Sequence, residues 1–277
     1  MNKKLLLDNG FQPLDKTKYK LYTENSTESR VLDIRFPILQ AYWDDALYRI
    51  QDSVMLTAVN EQDGYIFLPA KDFKAGIKQM LKITSNISMG YMTSEQAEAC
   101  PLPTYRDKRF SDYIVSRNEL IVTSWKYKHK TADYNRFMKY SNISVKPFCA
   151  NTADDCRTIL NNWCKGRNCA DCLFGCEKGV LEKYIDLTDC GITGLVVYCG
   201  GAPIGNLIAY AQGDTLYYPY AKADNSYFGI SVYMYIELAK KFDTQNVNLG
   251  SDGGIEGIRH FKGKFRPYIL TDKYFTY

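Results

Sequence analysis

Residues 192–242 carry the pattern that most restricts the fold. Three apolar runs, 192–199, 204–211 and 216–221, follow one another across two short turns, Gly200-Gly201-Ala202-Pro203 and Gly213-Asp214. Runs of that length bounded by Gly and Pro read as strands, and turns that short join antiparallel neighbours. Residues 227–242 then change to a helical period. A three-strand meander feeding a helix, with a short strand at 246–249 and a further helix beyond, predicts a mixed, mostly antiparallel sheet flanked by helices. The class is α/β (α+β).

A similar order occurs earlier in the chain without any residue-level repeat. Residues 36–46 read as an amphipathic helix and 52–59 as a strand. Glu61-Gln62-Asp63-Gly64 is a turn, 65–69 a second strand, and 71–83 a helix with Phe73, Ile77, Met80 and Leu81 on one face. Between the two halves, residues 116–140 hold a helix that Ser116 or Asn118 can cap. It becomes basic at Lys126, Lys128, His129 and Lys130, while Trp125, Tyr127, Tyr134 and Phe137 are expected to anchor it to a core. Such a helix is either a solvated face or a phosphate-binding one. The expected boundary lies near residue 145, giving domains 1–145 and 146–277, the first including the basic helix.

The chain has 277 residues, 45% of them apolar and 24% charged. Those proportions describe a folded protein in water and exclude a disordered or fibrous one. Basic residues exceed acidic ones by only 35 − 31 = 4, so any basic site must be local. Lys3-Lys4 is followed by three leucines and then Asp8, too short an apolar stretch for a signal peptide. No run approaches the roughly 18 apolar residues of a spanning helix. Nine cysteines in a chain of this size fit thiols in a reducing cytoplasm better than a disulfide framework.

Cys164, Cys169, Cys172 and Cys176 are spaced C-x4-C-x2-C-x3-C. Four thiolates there could close a tetrahedral zinc site, but the same spacing also describes thiols lining a buried helical face. The two histidines, His129 and His260, are far apart and support neither a mixed Cys/His site nor a Cys-His catalytic pair.

The densest functional signal is 246–267. A short strand enters the turn Gly250-Ser251-Asp252-Gly253-Gly254, and Ile255-Glu256-Gly257-Ile258-Arg259-His260-Phe261-Lys262 follows, with Lys264, Arg266 and Pro267 beyond. A strand, a Gly-rich turn and a helix present backbone N–H groups to an anion, and the cations would reinforce that preference. A turn followed by a basic surface helix is the plainer alternative. Arg259 and Lys262, three apart, share one helix face.

This block resembles bacterial proteins whose domain is similar to the C-terminal domain of phosphatidylglycerol lysyltransferases, a family of GNAT-like acyltransferases. The likeness rests on Asp112-Tyr113-Ile114, Ser116 to Leu120, Lys126 through Phe137, Lys222-Ala223-Asp224 with Gly229, and Asp252-x-Gly254-Ile255-Glu256-Gly257-Ile258-Arg259 with Lys262 and Pro267. It implies two tandem GNAT-like domains, as in peptidoglycan-bridge aminoacyltransferases. It also implies that the strand before the long helix splays from its neighbour, and that the helix start, Lys222 through Ser231, receives the pyrophosphate of an acyl carrier. The donor would be aminoacyl-tRNA or acyl-CoA, and the acceptor an amine or hydroxyl on a small molecule, peptide or lipid headgroup.

On that basis Lys222, Asp224, Gly229, Ser231, Arg259 and Lys262 are the candidate donor-binding residues. Asp252 or Glu256 would take the acceptor proton, and Tyr220 or Tyr218 would return one to the leaving group. Two departures stand out. Ser226, Gly229 and Ser231 occupy the positions of the usual acyl-CoA signature, and Thr131-Ala132 follow Lys130 where the family tends to carry Arg-Asn. An acyl-CoA-dependent N-acetyltransferase and a non-catalytic binding protein on the same fold are the alternatives.

Overall fold

The computed structural model describes residues 1–43, 45–165 and 176–277. Its contacts divide the chain into two units, Met1–Ser111 with Thr271–Tyr277, and Asp112–Leu270. Unit 1 holds α1 (Lys3–Asp8), β1 (Gln12–Pro13), α2 (Tyr19–Asn25), α3 (Phe36–Tyr42), β2 (Leu47–Gln51), β3 (Val54–Glu61), β4 (Gly64–Leu68), α4 (Phe73–Ile83), α5 (Ser94–Ala99) and β5 (Thr104–Arg106). Strands β1 to β4 form an antiparallel sheet in chain order. Ile77 and Met80 of α4 pack on Leu56, Ala58 and Phe67, the apolar face that the sequence period predicts. Leu81, expected on that face, is exposed.

Sequence reading runs the first helix to residue 46 and misses β2. The reason is its turn. Asp52 and Ser53 both have positive φ, 50° and 62°, the backbone that joins two strands through a two-residue hairpin, but neither is the Gly that normally announces it.

Unit 2 holds β6 (Asp112–Ser116), α6 (Arg117–Ile121), α7 (Lys128–Phe137), β7 (Ile143–Pro147), α8 (Ala153–Cys164), α9 (Glu177–Asp186), β8 (Ile192–Cys199), β9 (Ala202–Gln212), β10 (Thr215–Ala223), α10 (Ile230–Ala239), β11 (Asn246–Asn248), α11 (Glu256–Gly263) and β12 (Ile269–Thr271). The last strand, β13 (Tyr274–Thr276), pairs antiparallel with β5. The seven-stranded sheet runs β12-β6-β11-β10-β9-β8-β7, with β10 and β11 parallel.

The division falls at Ser111, not near residue 145, because β6 pairs with β11 and Phe137 of α7 packs on Tyr233 of α10, ring centroids 4.5 Å apart. The expected helix over 116–140 is broken into α6 and α7. Tyr127, Tyr134 and Phe137 do anchor it, but Trp125 stands 90% exposed.

Two features of unit 2 place its functional residues. Eight of the ten residues of α10 are buried, which marks a helix enclosed on all sides. One sheet face packs on it through Leu195, Val197, Leu207, Leu216 and Tyr218. Along β10, Tyr217 pairs with Tyr210 and Tyr220 with Ile208, so Tyr218 and Pro219 oppose Ala209 alone. That bulge reverses the alternation, as an extra residue must. Tyr218 therefore points to α10, donating its hydroxyl to the Tyr235 carbonyl, whereas Tyr220 points to the face covered by α8 and α9, 6.0 Å from the Tyr184 ring. Proline suits the bulge because it has no N–H to leave unpaired.

Candidate functional site

The parallel pairing of β10 with β11 lasts only three positions, Thr215–Tyr217 against Asn246–Asn248. Beyond it β10 continues to Ala223 while the chain after Asn248 turns away, so the two strands splay as the sequence resemblance implies. The sequence-predicted residues line the two sides of this sheet and do not form one cluster.

On the α11 side, Gly250, Gly253 and Gly254 all have positive φ and wind the chain around the Asp252 carboxylate. Its Oδ1 accepts from the Gly254 N–H at 2.7 Å, and its Oδ2 from the Tyr113 hydroxyl at 2.6 Å and from Arg259 Nε at 2.9 Å. Burial alone would raise the Asp252 pKa. The Arg259 guanidinium, with Tyr113 and Gly254, outweighs it and holds the carboxyl below its usual range. An ionised carboxylate already accepting three hydrogen bonds is a weak proton acceptor, so Asp252 is built to fix the turn. Lys262, buried, donates to the Ser251 carbonyl at 2.5 Å. Asn248 ties β11 down, accepting from the Gly250 N–H and donating to Asp112. Glu256 stands exposed in the first turn of α11, and Arg259 keeps 57% of its side chain exposed.

The start of α10 is close by in sequence but differently made. Asp224 accepts from the Ser226 N–H and so closes a turn. Gly229, φ +88°, is the residue before the helix, and a Cβ there would lie 1.9 Å from the Asp133 carbonyl oxygen. The glycine is thus required by α7, whose backbone is in contact with it. No side chain caps α10, and Ser231 sits in its first turn.

On the α8 and α9 side lies a polar cluster, half-buried at Lys222 and Glu177 and fully buried at Asn206. Lys222 is ion-paired with Glu177, and its ammonium rests 4.1 Å from the Trp163 ring centroid and 5.1 Å from that of Tyr220. Across the ladder from Lys222 is Asn206, wholly enclosed. Among the described residues neither of its carboxamide atoms reaches an oxygen or nitrogen partner. The Cys156 thiol beside it is a poor one, and burial pushes that thiol up to about 12 against the pull of Asn206. Lys222 is therefore turned away from the α10 start, contrary to its expected place in a donor-phosphate site, because the bulge at Pro219 shifts its face.

Sequence reasoning overlooked Asn206, Glu177 and Trp163. Asn206 did leave a signal, a single carboxamide in the otherwise apolar run 204–211. A buried amide with no better partner than a thiol among the described residues is costly, about 1–3 kcal/mol. Asn206→Leu is therefore expected to gain about 1 kcal/mol in urea unfolding while weakening ligand binding; a loss of stability instead would show that the amide is satisfied.

Of the four cysteines proposed for zinc, Cys169 and Cys172 lie outside the described residues. Cys164 is half-buried and Cys176 exposed, and among the described residues no three potential ligands gather as a metal site would need. Among the described residues no helix is long and apolar enough to cross a membrane.

The family model for the C-terminal part of phosphatidylglycerol lysyltransferase matches residues 90–277, about two thirds of the sequence. The chain belongs to this family. Solved structures agree on its GNAT-like fold. A conserved protein of unknown function from Bacteroides thetaiotaomicron superposes with a TM-score of 0.88 at 21% identity, over 96% of this chain and 98% of that one. The L-PGS structure from Bacillus licheniformis gives 0.70 at 12% identity, over 96% and 92%. FemX gives 0.62 at 8% identity, over 96% of each chain. No curated protein matches the sequence.

Proposed function

We propose that the protein transfers an aminoacyl group, from aminoacyl-tRNA, to an amine or hydroxyl acceptor, on two tandem GNAT-like units. The tandem reading draws on unit 1, where the antiparallel run β2, β3, β4 leads into α4 much as β8, β9, β10 leads into α10. The observation that carries the functional reading is Asn206. A fully enclosed carboxamide without oxygen or nitrogen partners among the described residues, beside Tyr220 and Lys222, is a donor held ready for an oxygen that arrives with substrate.

In the transfer, the acceptor nitrogen or oxygen attacks the donor carbonyl carbon. The new bond forms as the bond to the leaving oxygen breaks, and the acceptor's proton passes to that oxygen. Asn206 Nδ2 and the Lys222 ammonium steady the charge that builds on the carbonyl oxygen, and Tyr220 relays the proton. Asp252 works through Tyr113 and Arg259, which it fixes in place. Arg259, mostly solvated, and the exposed Glu256 are left to meet donor or acceptor.

A second reading, acyl-CoA as donor in an N-acetyltransferase, is favoured by the uncapped start of α10. The Asp133 carbonyl pressed against Gly229 opposes it, since a carbonyl oxygen so near the helix start repels an anion. Thermal unfolding against charged tRNA and a panel of acyl-CoAs separates the readings. Ligand at 100 times its Kd adds about 2.7 kcal/mol. Stabilisation by charged tRNA alone, lost in Lys222→Met, is expected. Stabilisation by acyl-CoA would establish the second reading, and no response to either would leave a non-catalytic binding protein.

A further inference from the structure

Unit 1 buries an ion pair that the proposed transfer does not use. Lys273 is wholly enclosed, and its ammonium meets the carboxylate of Asp33, whose side chain keeps 20% of its surface exposed. The two residues lie 240 positions apart in sequence. Both backbones are held in place. The Asp107 N–H donates to the Lys273 carbonyl at 3.2 Å, and the next residue, Tyr274, exchanges two hydrogen bonds with Met92, at 3.0 and 3.1 Å. Around Asp33 the chain is wound on the buried Arg35, whose guanidinium donates to the carbonyls of Thr27, Ser29 and Val31.

A proton carrier stands near the pair. The Tyr91 hydroxyl donates to Glu61 Oε1 at 3.0 Å, and the Trp43 Nε1–H donates to the same oxygen at 3.1 Å. Burial, and then the charges of Asp33 and Glu61, raise the Tyr91 pKa, so the hydroxyl keeps its proton within the field of both carboxylates. Its ring is fixed by Trp43 and Phe275, with centroids 5.7 and 5.2 Å away. Its φ of 61° is a left-handed backbone that a bulky residue seldom takes, and such strain persists only where the surroundings impose it.

We infer that Lys273 and Asp33 join in an intramolecular isopeptide bond, which the folded chain forms on itself. The ammonium passes one proton to the carboxylate, leaving an amine and a carboxylic acid, and the amine nitrogen attacks Asp33 Cγ. The C–N bond forms and the bond from Cγ to its hydroxyl breaks. Tyr91 gives its proton to the departing hydroxyl, which leaves as water, and takes the second proton from nitrogen. Nothing is oxidised and no other reactant is needed. Glu61 is a positioning residue that acts through Tyr91. Burial favours the reaction, because two charges removed from water are costly and condensation replaces them with one neutral amide. Enclosure keeps water from the new bond, and partners fixed in this way react with an effective concentration of about 10⁵ M or more. The bond would fasten the start of β13 to the segment before α3, and unlike a disulfide it would survive thiol reductants. The inference does not depend on the transferase reading: a chain that transferred nothing would still close it.

The test is the mass of the full chain, denatured after treatment with a thiol reductant. It is expected to be lighter than its sequence by one water. Trypsin should then release one branched peptide, residues 31–35 joined to residues 265–277, because an acylated Lys273 is no longer a cleavage site. Asp33→Asn should give the same linkage with loss of ammonia in place of water, whereas Lys273→Met and Asp33→Ala should show the full mass of their sequences. Tyr91→Phe keeps the ring and removes the relay, and with Tm confirming that it remains folded it should form the bond at least about a hundredfold more slowly. A wild-type chain of full sequence mass, cut by trypsin after Lys273, would overturn the inference and leave an ordinary ion pair. So would a water loss that persists in Lys273→Met, as a succinimide elsewhere would give. Bond formation at the wild-type rate in Tyr91→Phe would overturn the role of Tyr91.

Discussion

Gly229→Ala is expected to cost on the order of 3–5 kcal/mol, from left-handed strain and forced overpacking together, and to lower Tm by about 10 °C. Two separate penalties meet at this residue. Its φ of +88° is a backbone that only glycine adopts freely. A methyl group there would also stand 1.9 Å from the Asp133 carbonyl oxygen, so α7 or the start of α10 would have to move. Gly201→Ala separates the two. Gly201 has nearly the same φ, +85°, but a Cβ there meets nothing within 4 Å. That variant should lose only the strain, about 1–2 kcal/mol. Calorimetric scans of both variants decide the matter, and equal losses would mean that the α7 contact contributes nothing.

The comparison has a functional edge. If the start of α10 served mainly to receive a diphosphate, a substitution at Gly229 would chiefly change donor binding. Because the glycine lets one helix's carbonyl approach another helix's first turn, the first effect should be on folding, and donor binding should fall only with the folded fraction. Measuring both on the same sample distinguishes a glycine kept for packing from one kept for a ligand.

The meander and the central helix were legible because their signals are local. The strand at 192–199 and the strands and helix that follow it were placed within a few residues by apolar runs and Gly-marked turns. What was illegible depends on pairs of residues that no local window joins. The turn at Asp52-Ser53 lacks glycine, so β2 was hidden. The pairing of β13 with β5 joins residues more than 160 positions apart, and nothing in either strand announces the other. The bulge at Tyr218-Pro219 is the most consequential case. Read as an unbroken strand, β10 places Tyr218 and Tyr220 on one face and makes them interchangeable, whereas the extra residue sends one into the α10 core and the other toward Tyr184 and Lys222.

The candidate residues divide along the same line. Asp252, Arg259 and Lys262 stand out because a Gly-rich turn and closely spaced cations are visible in sequence, and in the structure Arg259 bonds Asp252 and Lys262 the Ser251 carbonyl of the same turn. Asn206 and Lys222 become neighbours only through the register of β9 against β10, and Glu177 joins them from α9. A cluster assembled from a strand, its neighbour and a helix distant in sequence leaves little linear trace beyond one asparagine among apolar residues.

Asp252→Asn should separate the structural from the chemical use of that carboxylate. The change preserves shape and an acceptor for the Gly254 N–H, but it removes the charge that Arg259 faces. At neutral pH the loss is expected to be about 1.5–3 kcal/mol, the range for hydrogen bonds to charged groups. The sign of its pH dependence follows from the lowered pKa. In the folded state the carboxyl sits below its ordinary value, about 3.9, so between the folded and unfolded values the unfolded chain binds more protons. Asp252 therefore contributes stability that is fully present above the unfolded value and is lost as pH falls through the folded one. The difference in stability between wild type and variant should be constant near neutrality and shrink below about pH 4. Denaturant unfolding across that range measures it. A difference that persists unchanged into acid would mean that geometry, not charge, holds the turn. If Asp252→Asn abolished transfer at neutral pH while leaving stability intact, the carboxylate would be the base after all, and the hydrogen bonds it makes in this structure would have to open for catalysis.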